Sequence, residues 1–273
     1  GHEQRAFVER IGQKVKRHET ARLDRNENGL KPLAAERGGA FEHAFVLGRD
    51  RHDVVLAVLV EPRRAGDRKR VGCLRLAEAQ RRYEAFLRGE PDELLERLVR
   101  VLRQLSEVGA SKIVICCITI HYLLPLLPPD LRARVVSLLD VIIDQVAQTR
   151  KRHLLVCSKG TLRLGLFQNH SHWNLVKDLI ILPEDEDQDE IHFEMIYRIK
   201  RNPDVRQFIP CLESLLAKYE VDSFIAGCTE VHLLAKHFLS SNSNYGCIDP
   251  LVIIAKELAA EYTDASRPLY PPV

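Results

Sequence analysis

The chain has almost no net charge, no membrane-length apolar run and no paired metal-ligand motif, and each lack removes a class of function. Forty Lys and Arg against 38 Asp and Glu leave +2 over 273 residues, so bulk charge gives no electrostatic footprint for nucleic acid. Arginines crowd between Arg63 and Arg103 but alternate with acids, the pattern of solvated helix faces. No apolar stretch reaches the ~20 residues of a bilayer span, and no signal-peptide layout opens the chain. Together these point away from a membrane partner and toward a cytoplasmic location. There is no Cys-x-x-Cys or His-x-x-x-His pair, so no metal is expected; His170 and His172 alternate without a second ligand pair beside them. The acidic run Glu184–Glu190 reads as a solvated loop whose charges suit a following helix amino terminus. Seven cysteines, an odd number, lie mostly in or beside strand-like apolar runs, which fits reduced thiols rather than a disulfide framework. No lysine motif for a pyridoxal cofactor is visible, so no cofactor is expected.

What is present is an alternation of short apolar runs and helical periods. Strands are expected at Val54–Val60, Lys112–Ile118, His153–Cys157, Asp178–Leu182, Ser223–Gly227 and Tyr245–Ile248, each bounded by turn residues as buried parallel strands are. Leu94, Leu95, Leu98, Leu102 and Leu105 form one helical face, closed by Gly109. Leu131, Val135, Leu138, Leu139, Ile142 and Val146 form another, opened by Pro128-Pro129-Asp130. Leu212, Leu215 and Leu216 mark a third helix, and Leu251, Ile254, Ala255 and Leu258 a fourth that begins after Pro250. Strands alternating with helices predict an α/β fold with parallel sheets.

Two cysteines stand where a strand breaks into a turn. One context reads Ile113-Val114-Ile115-Cys116-Cys117-Ile118-Thr119-Ile120-His121, the other Phe224-Ile225-Ala226-Gly227-Cys228-Thr229-Glu230. The carboxyl ends of parallel strands are where open α/β sheets bind ligands. A strand cysteine is most often a small core hydrophobe, but two strand–Cys–Thr contexts, one per half, suggest paired lobes with a site in the cleft between them. Opposed thiols suit one chemistry: a thiolate removes a proton from one face of a carbon and the other thiol returns one to the opposite face. Each thiol precedes a helix start, where unpaired backbone N–H groups favour an anion.

At these residues the chain resembles the aspartate/glutamate racemase superfamily, cofactor-independent enzymes with a Cys-Asn-Thr-Ala-His motif in the first half and Gly-Cys-Thr-Glu in the second. Cys117-Ile118-Thr119-Ile120-His121 matches the first with Ile for Asn, and Gly227-Cys228-Thr229-Glu230 matches the second in full. Cys157-Ser158-Lys159-Gly160-Thr161, Met195–Lys200 and Gly246-Cys247-Ile248-Asp249-Pro250 are similar to three further family stretches, in family order. The resemblance implies two similar three-layer α/β lobes, residues 1–127 plus 245–273 and residues 128–244, with the last helix returning to the first lobe. It implies Cys117 and Cys228 as the two bases and Thr119, Thr161 and Thr229 as hydroxyls for substrate carboxylates. It also implies Lys200 facing the acidic substrate, Arg68 pairing a second carboxylate, and His121 and Glu230 tuning the thiols. Thr161, after Gly160, also reads as a helix cap.

The expected activity is PLP-independent racemisation or epimerisation of an acidic amino acid of the aspartate or glutamate class, with a homodimer implied by the family. Two departures favour other readings. Ile118 stands where the family has an asparagine that donates to substrate. The family's opening strand and Gly-Gly-Met-Gly-Pro-like loop have no counterpart before the helical stretch Phe7–Thr20, and Gly38, Gly39 and Gly48 do not occupy its place. Gly1-His2 reads as a cloning remnant, with that strand removed or naturally lost. These features suit a degenerate member that binds a small acid or a partner, or a related isomerase or decarboxylase that uses a single cysteine.

Overall fold

The computed structural model describes residues 54–60, 70–76, 92–107, 109–201, 204–240 and 244–265. The stretch Phe7–Thr20, the glycines at 38, 39 and 48, and Arg68 lie outside the described residues. The chain divides into two compact units. Among the described residues, one comprises those up to Ile115 together with Tyr122–Val136, and the other comprises Cys116–His121 and those from Ser137 onward.

The first unit holds β1 (Val54–Val60), β2 (Arg70–Leu76), α1 (Asp92–Glu107), β3 (Ala110–Ile115), α2 (Pro129–Arg132) and β4 (Val135–Val136). Its sheet runs β2-β1-β3-β4. β3 and β4 are parallel, while β1 is antiparallel to both β2 and β3. β2 adds a strand that the apolar pattern does not announce, because Arg70, Gly72 and Arg75 interrupt it. α1 buries Leu95, Leu98, Leu102 and Leu105, one stripe at helical spacing, and packs on β3. Gly109, at φ 92, ends the excursion with its N–H on the Ser106 carbonyl at 3.0 Å. That conformation is open to glycine at no steric cost.

The expected single helix from Leu131 to Val146 is instead three elements: α2, β4, and α3 (Leu138–Thr149). The β-branched pair Val135-Val136 extends beside β3. Ser137 then starts a new helix, its Oγ accepting the Asp140 N–H at 3.2 Å. A capping serine inside an apolar run resets the helix without disturbing the hydrophobic period.

The second unit contains α3, β5 (His153–Cys157), α4 (Lys159–Arg163), α5 (Trp173–Val176), β6 (Ile180–Ile181) and α6 (Asp185–Asp189). A π-helical turn over Glu190–Ile196 leads into α7 (Tyr197–Arg201). A short 3₁₀ turn then precedes α8 (Ile209–Lys218), β7 (Ser223–Gly227), α9 (Thr229–Ser240), β8 (Gly246–Ile248) and α10 (Pro250–Ala265). The sheet order is β6-β5-β7-β8, parallel throughout. All five residues of β5 and of β7 are buried, which is why both strands read as continuous apolar runs. α10 packs on α3, and α9 on β7 and β8.

The acidic run is not a solvated loop. It forms α6, with Asp187 and Gln188 buried. The Asp187 carboxylate takes two hydrogen bonds from Lys218 Nζ, at 2.8 and 2.7 Å, and one from the Tyr219 hydroxyl. Burial pushes that carboxyl up, but the Lys218 and Tyr219 hydrogen bonds outweigh it and hold it below the ordinary carboxylate range. Sequence pattern alone reads such a run as solvent-facing, because the partners come from the end of α8.

Candidate active site

β3 ends at Ile115, and the chain turns through buried Cys116 and half-buried Cys117 into a 3₁₀ segment, Ile118–Leu126. The Cys117 carbonyl accepts the Ile120 N–H at 3.2 Å and lies 3.1 Å from His121 Nδ1. On the other side of the ring, His121 Nε2 accepts the Leu138 N–H at 3.0 Å. An accepting Nε2 carries no proton, so Nδ1 bears it and donates to Cys117. His121 is 3% exposed; it ties the cysteine turn to the start of α3. Ile118 is buried, and two residues past Cys117 lies Thr119.

Thr119 meets a second element. Its Oγ1 lies 3.2 Å from Ser158 Oγ and 3.1 Å from Thr161 Oγ1, and Ser158 Oγ lies 3.1 Å from Thr161 Oγ1. Each hydroxyl has one proton and two lone pairs, so the triangle satisfies itself as a ring in which each donates to the next. An arriving carboxylate can turn those donors toward itself, and charge-assisted hydrogen bonds are the stronger kind. Thr161 is not the helix cap. It is the third residue of α4, its N–H on the Ser158 carbonyl at 3.0 Å, while Ser158 holds the cap position without a side-chain cap bond. Ser158 joins the two threonines here, and its sequence signal is its place as the first hydroxyl beyond β5, directly before Lys159-Gly160-Thr161.

The same edge carries Cys228. Cys157 pairs with Gly227 across parallel β5 and β7, so Ser158 and Cys228 are the next residues on strands about 4.8 Å apart. Gly227 is demanded by packing: a Cβ there would lie 2.5 Å from Cys157 Cβ and 2.9 Å from the Val156 carbonyl. Cys228 is half-buried and immediately precedes α9. Thr229 and Glu230 fill the first turn, with Thr229 Oγ1 donating to Glu230 Oε2 at 3.3 Å.

Further polar groups close around the end of β5. Gln188 Nε2 donates to the Cys157 carbonyl at 3.0 Å, and its Oε1 is buried without a hydrogen-bond partner. The Lys159 N–H reaches His192 Nδ1 at 3.4 Å, and the Lys159 ammonium pairs with Asp189. Lys200 lies in α7; its side chain and all of Arg68 lie outside the described residues. The structure thus brings Cys117, Thr119, Thr161, Cys228, Thr229, Glu230 and His121 into one unit.

The other thiols differ in environment. Burial pushes the Cys157 thiol far above its ordinary value and raises that of Cys247 as well. Cys211 is pushed up to about 12 by burial and by Glu190. These three remain protonated at neutral pH and are poor nucleophiles or bases. Among the described residues, no three His, Cys, Asp or Glu side chains are grouped to hold a metal. No helix among them is long and apolar enough to cross a membrane.

Known proteins share features with this chain. A candidate Asp/Glu racemase from Yersinia pestis is 19% identical, with a TM-score of 0.50 over 69% of this chain and 82% of that one. Picrophilus torridus aspartate racemase is 18% identical, with a TM-score of 0.49 over 62% of this chain and 69% of the other. At such identity the Yersinia likeness speaks to the α/β fold. The sequence model of Asp/Glu/hydantoin racemases matches residues 56–258, most of the chain including both cysteine motifs, and the protein therefore belongs to that racemase family.

Proposed function

We propose that the protein is a cofactor-independent racemase or epimerase of an acidic amino acid of the aspartate or glutamate class, with Cys117 and Cys228 as its two bases. The observation that carries this reading is the Thr119–Ser158–Thr161 hydroxyl triangle. It joins the Cys117 turn to the sheet edge on which Cys228 follows β7, and it holds three hydroxyls for a carboxylate at that edge.

In one direction a cysteine thiolate breaks the Cα–H bond, taking the proton onto sulfur and leaving the electron pair on Cα. That pair delocalises into the α-carboxylate, whose growing negative charge the hydroxyls of Thr119, Ser158 and Thr161 stabilise. The thiol on the opposite face then donates its proton to Cα. One Cα–H bond has broken and one has formed, one S–H has formed and one has broken; the substrate has changed only in configuration, and thiol and thiolate have changed places on the two cysteines. Positioned acid–base groups contribute about 10²–10⁴-fold; the remaining acceleration falls to orientation and charge. Thr229 adds a hydroxyl, Lys200 and Arg68 serve the distal carboxylate, and His121 and Glu230 orient the two cysteine turns. A homodimer accords with the family.

A second reading, a member that binds a small acid without racemising it, is favoured by Ile118. Its side chain is 2% exposed and offers no hydrogen bond where the resemblance has an asparagine. Proton NMR in D₂O separates the two. Each enantiomer of aspartate and glutamate is incubated with the protein and with the Cys117→Ser and Cys228→Ser variants. Loss of the α-proton signal, with appearance of the other enantiomer by chiral chromatography of the same samples, abolished in both variants, is expected. Saturable binding with no exchange would establish the second reading.

A further inference from the structure

One buried polar pair at the same sheet edge is not used by the chemistry above. His232, the fourth residue of α9, places Nδ1 2.6 Å from Asp249 Oδ2, and the two side chains are 4% and 1% exposed. Asp249 follows β8, and its other oxygen accepts the Leu251 N–H at 3.0 Å and the Val252 N–H at 3.3 Å, capping α10. The carboxylate is the acceptor toward those amides, so His232 Nδ1 carries the proton between the two side chains. The backbone N–H of His232 donates to the Cys228 carbonyl at 3.2 Å. Hydrogen bonds therefore run without a gap from the Cys228 carbonyl through His232 and Asp249 to the first turn of α10.

Burying such a pair costs desolvation that an apolar pair would not. A helix needing only to pack on β7 and β8 has no use for it. The pair does what apolar contacts cannot: it sets the direction and register of the turn that begins with the cysteine.

We propose that the His232–Asp249 pair is a positioning element for Cys228, clamping the first turn of α9 to the start of α10 so that the cysteine keeps its place at the mouth of α9. The functional weight of this inference rests on Cys228 being a base, but its test does not require turnover.

The test is alkylation by iodoacetamide, followed residue by residue by mass spectrometry across a pH series. Asparagine carries its amide N–H near the position of Nδ1 and keeps the bond to Asp249, whereas glutamine carries its own farther out. His232→Gln is expected to slow Cys228 alkylation at pH 7 by about threefold or more. The pH profile of its alkylation should shift along with the rate. Cys117 should be unaffected, and His232→Asn should restore the native rate. Asp249→Asn, with circular dichroism and a thermal melt as controls, should reproduce the His232→Gln effect. An unchanged Cys228 profile in folded His232→Gln, an equal rise at every cysteine, or failure of His232→Asn to restore it would overturn the proposal. A positive alkylation result with no racemisation would retire the proposed reaction and leave the clamp standing.

Discussion

Thr119 Oγ1 lies 3.1 Å from Thr161 Oγ1, although 42 residues separate them along the chain. That contact places a hydroxyl from the turn after β3 on the motif after β5. Neither residue has a local reason to be there: Thr119 lies in a 3₁₀ segment and Thr161 in a five-residue helix.

Removing one corner of the triangle should weaken acid binding more than it weakens the fold. Ser158→Ala and Thr119→Val each delete one donor, and a hydrogen bond to a charged group is worth about 1.5–3 kcal/mol. The expected outcome, with the acidic substrate proposed above, is a fall in kcat/KM of about 10- to 100-fold, with the melting temperature shifted by only a few degrees. Steady-state kinetics beside a thermal melt checks both halves.

Gly227→Ala should destabilise the second unit. The added methyl would sit 2.5 Å from Cys157 Cβ and 2.9 Å from the Val156 carbonyl, and one of these is backbone that cannot rotate away. Overpacking of this kind costs about 1–3 kcal/mol. Urea denaturation should show a lower midpoint with an unchanged slope; a midpoint equal to the native one would show that β5 and β7 separate freely.

Stability should fall as pH drops below the ordinary histidine range, and His153 is the cause. Its Nε2 donates to Thr149 Oγ1 at 2.8 Å, because Thr149 spends its own proton on the Val146 carbonyl. Nδ1 therefore accepts from Ser223 Oγ, also at 2.8 Å. Burial lowers the pKa of this imidazole, with Asp222 opposing and Lys151 reinforcing the shift. The unfolded chain takes the proton near pH 6.5 while the folded chain resists, so stability is full above 6.5 and declines below it. One such group gives a slope of at most about 1.4 kcal/mol per pH unit. Melting temperatures from pH 7.5 to 5 should show a shallower decline in His153→Gln, which has no proton to take up.

The strands were legible where burial is two-sided. His153–Cys157 and Ser223–Gly227 were read to the residue, because a strand covered on both faces writes itself as an unbroken apolar run. β2 and β4 were not, since Arg70, Gly72 and Arg75 break the run in one and the other is two residues long inside a helical period. Asp187 looked like solvent-facing charge because its cation comes from Lys218, 31 residues away.

The order of motifs along the chain determined the family, and local composition determined where thiols and hydroxyls follow strands. A strand that ends in Cys-Thr or Ser-Lys-Gly-Thr can be read from neighbours alone. Tertiary structure decided which of those groups meet. Only the parallel register of Cys157 with Gly227 makes Ser158 and Cys228 neighbours, and only the fold joins Thr119 to Ser158. The same holds for His232 and Asp249, one a helix residue among leucines and the other a helix cap, until β7 and β8 lie side by side. Patterns along a chain report what each residue faces; the partner it faces is set by chain crossings that leave no local mark.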